Sequence, residues 1–202
     1  MQTSLVRLPG HTLREYQVIV TPQEALRERI MKKRAEFREH HGSSGHLPPA
    51  CLCIARFHQY LMNEDRTIAQ MDRMAMGMAP FRITIRGFNS LPDHAIFFHT
   101  ERSAGLHKLA AGIKALGKLL YPDPDHKAKV HPEPHIVLAR RLDPEQFAAG
   151  WGEWAARPFS ADILAESFLV LKRIPGDIRA QVVSRSEFKN LPVATRQGEL
   201  FP

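Results

Sequence analysis

Cysteine is scarce: there are two in 202 residues, Cys51 and Cys53. Two thiols at i and i+2 make no disulfide framework, so an ordinary hydrophobic core has to hold the fold. Long apolar runs are missing too. None approaches the ~18 residues of a membrane-spanning helix, so no membrane span is expected. The first residues, Met1-Gln2-Thr3-Ser4-Leu5-Val6-Arg7, carry no signal-peptide apolar stretch, and a cytoplasmic location is the expectation. What is present is ordinary for a globular chain, with 44% hydrophobic and 24% charged residues. The length suits one domain or two intimately packed lobes. The net charge of +7 favours an anionic partner such as a nucleotide or RNA. The same excess also fits a solvated helix face made by Arg27, Arg29, Lys32, Lys33 and Arg34.

A short pattern occurs twice. Cys51-Leu52-Cys53-Ile54-Ala55-Arg56-Phe57 and His135-Ile136-Val137-Leu138-Ala139-Arg140-Arg141 share apolar residues at the second and fourth positions, then Ala-Arg. Each follows a proline-containing approach, Pro48-Pro49 and Pro132-Glu133-Pro134. The 84-residue offset is too long for a solenoid and fits two halves of one domain. Strict strand alternation would put Cys51, Cys53 and Ala55 on one face, and His135, Val137 and Ala139 on another. Both strands are expected at the centres of two related sheets, with positions 51 and 53 facing 135 and 137 across a groove.

The remaining elements follow from local signals. Residues 15–20 read as a strand. Thr21 reads as the N-cap of a helix that ends near Gly42, with Leu26, Ile30 and Phe37 on its buried stripe. Residues 64–78 form a helix with a methionine-rich core stripe, Ile68, Met71, Ala75 and Met78, with Met74 beside it. Residues 81–88 and 94–100 make a hairpin, Ser103 caps a helix to about Leu120, and 121–134 is a proline-rich loop. Asp143 caps a further helix, followed by strands near 158–164 and 166–173 and a last one at 181–188. The order is that of an α+β protein of two similar units.

These residues resemble the 2H phosphoesterase superfamily, the 2′-5′ RNA ligase-like or cyclic phosphodiesterase-like proteins. That family carries His-x-Thr once per lobe, between apolar residues and often before Ala-Arg. A bacterial branch is matched further by Glu15-Tyr16 before an apolar strand, by Phe57-His58-Gln59-Tyr60, by Gly150-Trp151 and by the segment Glu187 to Phe201. The resemblance implies a bilobal α+β fold, two pseudo-symmetric antiparallel sheets flanked by helices with a central groove. It implies one domain over residues 1–202, with 174–202 as a C-terminal extension packed on it.

In active members of the family the two histidines act as general acid and base at a phosphodiester or 2′,3′-cyclic phosphate, and the two threonine hydroxyls hold the phosphoryl oxygens. Imidazoles titrate near neutral pH and hydroxyl donors stabilise phosphoryl charge, so both suit the task. Here only His135 survives. Cys51 stands at the first histidine position, Cys53 and Val137 at the two threonine positions. The candidate catalytic set is therefore His135 and Cys51, with His99 as a substitute for the missing imidazole. The candidate substrate contacts are Cys53, Val137 and Arg141. Each has a plainer alternative: both cysteines as small buried hydrophobes, and His99 as an ordinary core or surface histidine. A Cys51-Cys53-His135 metal set with His99 as fourth ligand lacks zinc-site spacing, so no metal and no cofactor is expected. Two functions remain open. One is an impaired enzyme acting on a cyclic phosphate or an RNA or nucleotide phosphodiester. The other is a non-catalytic nucleotide- or RNA-binding protein that retains only the fold.

Overall fold

The computed structural model describes residues 11–42, 46–92 and 94–192. Among these residues nine strands and four α-helices follow one another as β1 (Leu13–Val20), α1 (Glu24–His41), β2 (Leu52–Tyr60), α2 (Glu64–Met76), β3 (Phe81–Leu91), β4 (Ala95–Thr100), α3 (Ala104–Ala115), β5 (Lys129–Val130), β6 (Ile136–Arg140), α4 (Pro144–Trp154), β7 (Ser160–Ala165), β8 (Ser167–Arg173) and β9 (Gln181–Glu187). The α+β order read from the sequence holds, with the short β5 added inside the proline-rich loop. Caps explain several boundaries. Ser103 accepts from the Leu106 N–H at the start of α3, and Asp143 with Gln146 forms a reciprocal capping box at α4. Thr21 does not cap α1. Gln23 takes that place and spends its side-chain amide on the Leu164 carbonyl of β7 instead.

The strands form two antiparallel sheets, ordered β5-β2-β1-β8-β9 and β6-β4-β3-β7. Strand β2 is interior to the first sheet. Strand β6, expected at a sheet centre, is an edge strand. Its outer backbone faces α1, and the Arg34 guanidinium donates to the Val137 carbonyl from Nε at 2.9 Å and Nη2 at 2.7 Å. Arg34 is therefore not part of a solvated helix face; it is only 4% exposed. Its neighbours Arg27, Arg29 and Lys32 do face solvent.

The repeated Ala-Arg has a structural meaning. In β2 the pairing with β1 jumps from Val18↔Ala55 to Ile19↔Cys53, leaving Ile54 as an extra residue. In β6 the pairing with β4 jumps from Ile96↔Ala139 to Phe97↔Val137, leaving Leu138 extra. The same β-bulge thus occurs at positions 84 residues apart. It breaks the expected alternation. Ile54 and Ala55 are both buried, as are Leu138 and Ala139, while Cys51, Cys53, Arg56 and His58 all reach the opposite, open face of β2.

Helices and sheets are exchanged between the halves. Helix α1 joins β1 to β2 in the first sheet yet packs on β6 and α4 of the second. Helix α3 follows β4 of the second sheet and packs on β2 and β5 of the first as well as on β3. Aromatic rings fill the core under the second sheet, where Trp154 contacts Phe37 at 5.6 Å and Phe88 at 5.1 Å between ring centroids. Past β8, strand β9 completes the first sheet and Phe188 is buried against Phe81 and Phe168. The Ser43–Gly45 loop, Asp93 of the β3–β4 turn and the closing Gln197 to Phe201 stretch lie outside the described residues.

Candidate active site

Each repeated pattern begins one residue ahead of its strand. The Cys51 N–H closes a turn onto the Pro49 carbonyl at 2.8 Å, and β2 starts at Leu52. Pro134 is buried, and β6 starts at Ile136, just past His135. The prolines cannot continue a strand ladder and so fix both approaches. Arg34 links the two, donating to the Pro48 carbonyl at 2.9 Å as well as to Val137.

Cys51, Cys53, His135 and Val137 line one cleft of about 550 Å³. That is within the ~300–1,000 Å³ usual for a small-ligand site. His99 and Arg141 lie outside its lining. The β4 residue that meets His135 is Phe97, whose ring stacks on the imidazole at 4.1 Å. His99 lies two residues further along β4, beyond its last pairing with β6 at Phe98↔Ile136. Arg141 follows the end of β6 with a left-handed backbone, φ 55°, and is exposed.

Residues that sequence reasoning passed over complete the cleft. Strand β1 supplies Glu15 and Gln17, β2 supplies Arg56 and His58, and the β5 segment supplies Lys127, Lys129 and His131. Arg56 and His58 required the bulge to be known. His131 required β5: its N–H donates to the Ile54 carbonyl at 2.7 Å, which docks the loop on the β2 edge. Nothing in the spacing of a proline-rich loop signals that pairing. At one end His58 packs edge-on against His126 at 4.9 Å, and His126 Nδ1 meets the Asp123 carboxylate at 2.8 Å. Glu15 pairs with Arg173 at 2.5 Å.

The electrostatics favour anions and disfavour thiolate chemistry. Burial, helped by the neighbouring Cys53, pushes the Cys51 thiol up to about 12 despite opposing pulls from Arg34 and Arg56. Although His135 is exposed, its imidazole stacks on Phe97 and is held below its ordinary value, first by desolvation and then by His131. His131 is lowered by desolvation and by Arg56 and Lys129. His58 is lowered by desolvation and by His126. Burial alone would raise Glu15, but Arg173 overrides it and holds the carboxyl below its usual range. Both cysteines are free thiols. Cys53 directs its Sγ to the Ala55 carbonyl at 3.7 Å. Among the described residues no three His, Cys, Asp or Glu side chains group as metal ligands, and no helix is long and apolar enough to cross a membrane.

Comparison with known proteins agrees with this architecture. No curated protein sequence matches the chain significantly. Among solved structures, Escherichia coli LigT in complex with 3′-AMP superposes with a TM-score of 0.62 at 14% identity, over 88% of this chain and 98% of that one. LigT in complex with NADP+ gives 0.60 at 16% identity, over 88% and 99%. TT0787 of Thermus thermophilus gives 0.60 at 22% identity, over 87% and 98%. At these identities the likeness concerns the fold. The sequence profile of the 2′-5′ RNA ligase superfamily matches residues 22–177, which span both motif strands, the whole second sheet, and β2, β5 and β8 of the first. The chain belongs to the 2′-5′ RNA ligase superfamily.

Proposed function

We propose that the cleft binds the phosphate of a nucleotide, a cyclic phosphate or an RNA end, and that two-histidine phosphodiester chemistry is impaired. One observation carries the reading. The four motif positions share a cleft with Arg56, Lys127, Lys129 and His131, yet three of the four lack the groups the reaction needs. The cations supply attraction for a phosphate. Opening a cyclic phosphate further requires one group to take a proton from water and another to give one to the leaving oxygen. His135, whose proton affinity is lowered, suits the first task. Cys51 suits neither, because a thiol pushed up to about 12 neither ionises nor donates readily near neutral pH. Cys53 offers only a weak S–H donor, already aimed at a backbone carbonyl, and Val137 offers none. The bound 3′-AMP and NADP+ of LigT are consistent with a nucleotide-phosphate ligand.

The test is to rebuild the motifs. Cys51, Cys53 and Val137 are half-buried and face open space, so the triple change Cys51→His, Cys53→Thr, Val137→Thr costs no more than about 1–3 kcal/mol of overpacking. The variant is expected to gain 2′,3′-cyclic phosphodiesterase activity, and a further His135→Ala to abolish it. Wild-type turnover already matching that of the rebuilt variant would overturn the impairment. His131→Ala and His58→Ala would then locate the second imidazole.

A further inference from the structure

Beside the cleft runs a second, larger groove of about 1,010 Å³ between α3 and the β5 segment. Its lining is mainly apolar: Ala110, Ala111, Leu120, Ala128, Val130 and Pro132. Tyr121 stands at its edge, 38% exposed. Apart from that phenol, every charged or titratable side chain lining it is basic: His107, Lys114, Lys127, Lys129 and His131. The nearby carboxylate, Glu133, lines the cleft instead and is engaged by Arg102 at 3.5 Å and His107 at 3.9 Å.

The two cavities share one wall. Lys127, Lys129 and His131 line both, whereas Ala128 and Val130 line only the groove. The β5 segment is thus a ridge, with basic side chains reached from both sides and apolar ones turned to the groove. A ligand held in the cleft by a terminal phosphate can cross this ridge only if its connecting unit is compatible with three adjacent basic groups. What lies beyond has to fill an apolar trough with an aromatic edge. A nucleic-acid strand alternates anionic phosphates and flat apolar bases in that way. A fatty chain lacks the anionic repeat, and an apolar helix lacks both the charge and the flat faces.

We infer that this groove is a second subsite for single-stranded RNA, taking the nucleoside next to a terminal nucleotide held in the cleft, with the intervening phosphate on the Lys127–Lys129–His131 ridge. The inference rests on the cleft being a nucleotide-phosphate site. The experiment compares 3′-AMP with a 3′-phosphorylated tetra-adenylate, each titrated into wild type, Ala111→Glu, Tyr121→Ala and Arg56→Ala at two salt concentrations. Ala111 is exposed on α3 and glutamate is a good helix former, so that variant keeps its fold. In wild type the tetranucleotide binds about tenfold tighter, the scale of one base stacking on an aromatic or apolar wall. Its salt slope is steeper by about one phosphate contact, roughly 0.7 on a log–log plot. Ala111→Glu and Tyr121→Ala bring the tetranucleotide down towards the affinity of 3′-AMP and move 3′-AMP itself by less than about twofold. Arg56→Ala weakens both ligands. Equal binding of 3′-AMP and the tetranucleotide to wild type overturns the second subsite and leaves the cleft reading standing. Failure of both ligands to bind overturns the cleft reading and the subsite with it. Groove occupancy by an apolar dye that RNA does not displace overturns the RNA assignment in favour of an apolar partner.

Discussion

Arg34 is the residue whose chemistry differs most from what its neighbours suggest. It sits in a run of basic residues that otherwise faces water, yet it is buried and donates to two carbonyls, Pro48 just ahead of Cys51 and Val137 two residues after His135. One planar guanidinium bridges the approach to the first motif and the strand of the second. It also lies near enough to Cys51 to pull that thiol down against the larger effect of burial. Its removal takes the guanidinium donor away from two part-buried carbonyls. Arg34→Ala should therefore cost roughly 2–4 kcal/mol of unfolding free energy. Arg34→Lys should recover only part, because an ammonium lacks the fork that reaches both oxygens. Urea unfolding of the three proteins checks this; a loss below about 0.5 kcal/mol for the alanine variant, the scale of an ordinary surface substitution, would contradict the bridging role.

Elements differ in how far they can be read from residue types alone. The caps at Ser103 and Asp143 and the apolar stripe of α2 are local, so they are visible in the sequence. The β-bulges are not, because a bulge is a property of pairing register between β2 and β1 or β6 and β4. Alternation therefore gives Cys51 and Cys53 their face correctly but assigns Ala55 to the wrong one, and it conceals Arg56 and His58. The two-residue β5 is likewise invisible, and with it the placement of His131 and the lysines. Helix α4 offers a test of packing between elements. Gly150 lies against α1, where an added Cβ would come within 2.7 Å of Phe37 Cζ. That ring is wedged near His41 and Trp154 and cannot give way. Gly152, two residues on in the same helix, faces open space. Helix propensity favours alanine over glycine at either position by about 1 kcal/mol. At Gly150 an overpacking cost of about 1–3 kcal/mol opposes it. Gly150→Ala should lower the melting temperature and Gly152→Ala should raise it. Shifts of the same sign would show that α1 and α4 are less tightly packed than this contact requires.

At the scale of the molecule, the exchanged helices explain why the site and the fold cannot be separated. With α1 packed on the second sheet and α3 packed on both, the two halves that supply Cys51 and His135 hold each other in place. The cleft between them gathers three imidazoles, His58, His131 and His135, beside Arg56, Lys127 and Lys129, with Glu15 and Glu133 as the opposing carboxylates. Each imidazole is held below its ordinary value of 6.5, with desolvation the largest cause. The unfolded chain therefore binds more protons than the folded one in the window just below 6.5. Their contribution to stability is fully present above that value and is lost as the pH falls towards the lowered folded values. A bound anion reverses the balance, since it favours the charged imidazolium. Linkage then requires that binding take up protons and that protons strengthen binding. The ligand for this test should be 2′,3′-cyclic AMP rather than 3′-AMP. A phosphomonoester has a second pKa near ~6 and would lose charge over the same range, whereas a cyclic diester keeps its single charge. At constant ionic strength its affinity should rise from about pH 7.5 to about pH 5.5, the range in which histidine titrates. Calorimetry in two buffers of different ionisation enthalpy should show net proton uptake that shrinks in His131→Ala and in His135→Ala. Affinity that stays flat or falls on acidification would mean that these imidazoles do not face the phosphate, and the cleft would then have to hold its anion through Arg56 and the lysines alone.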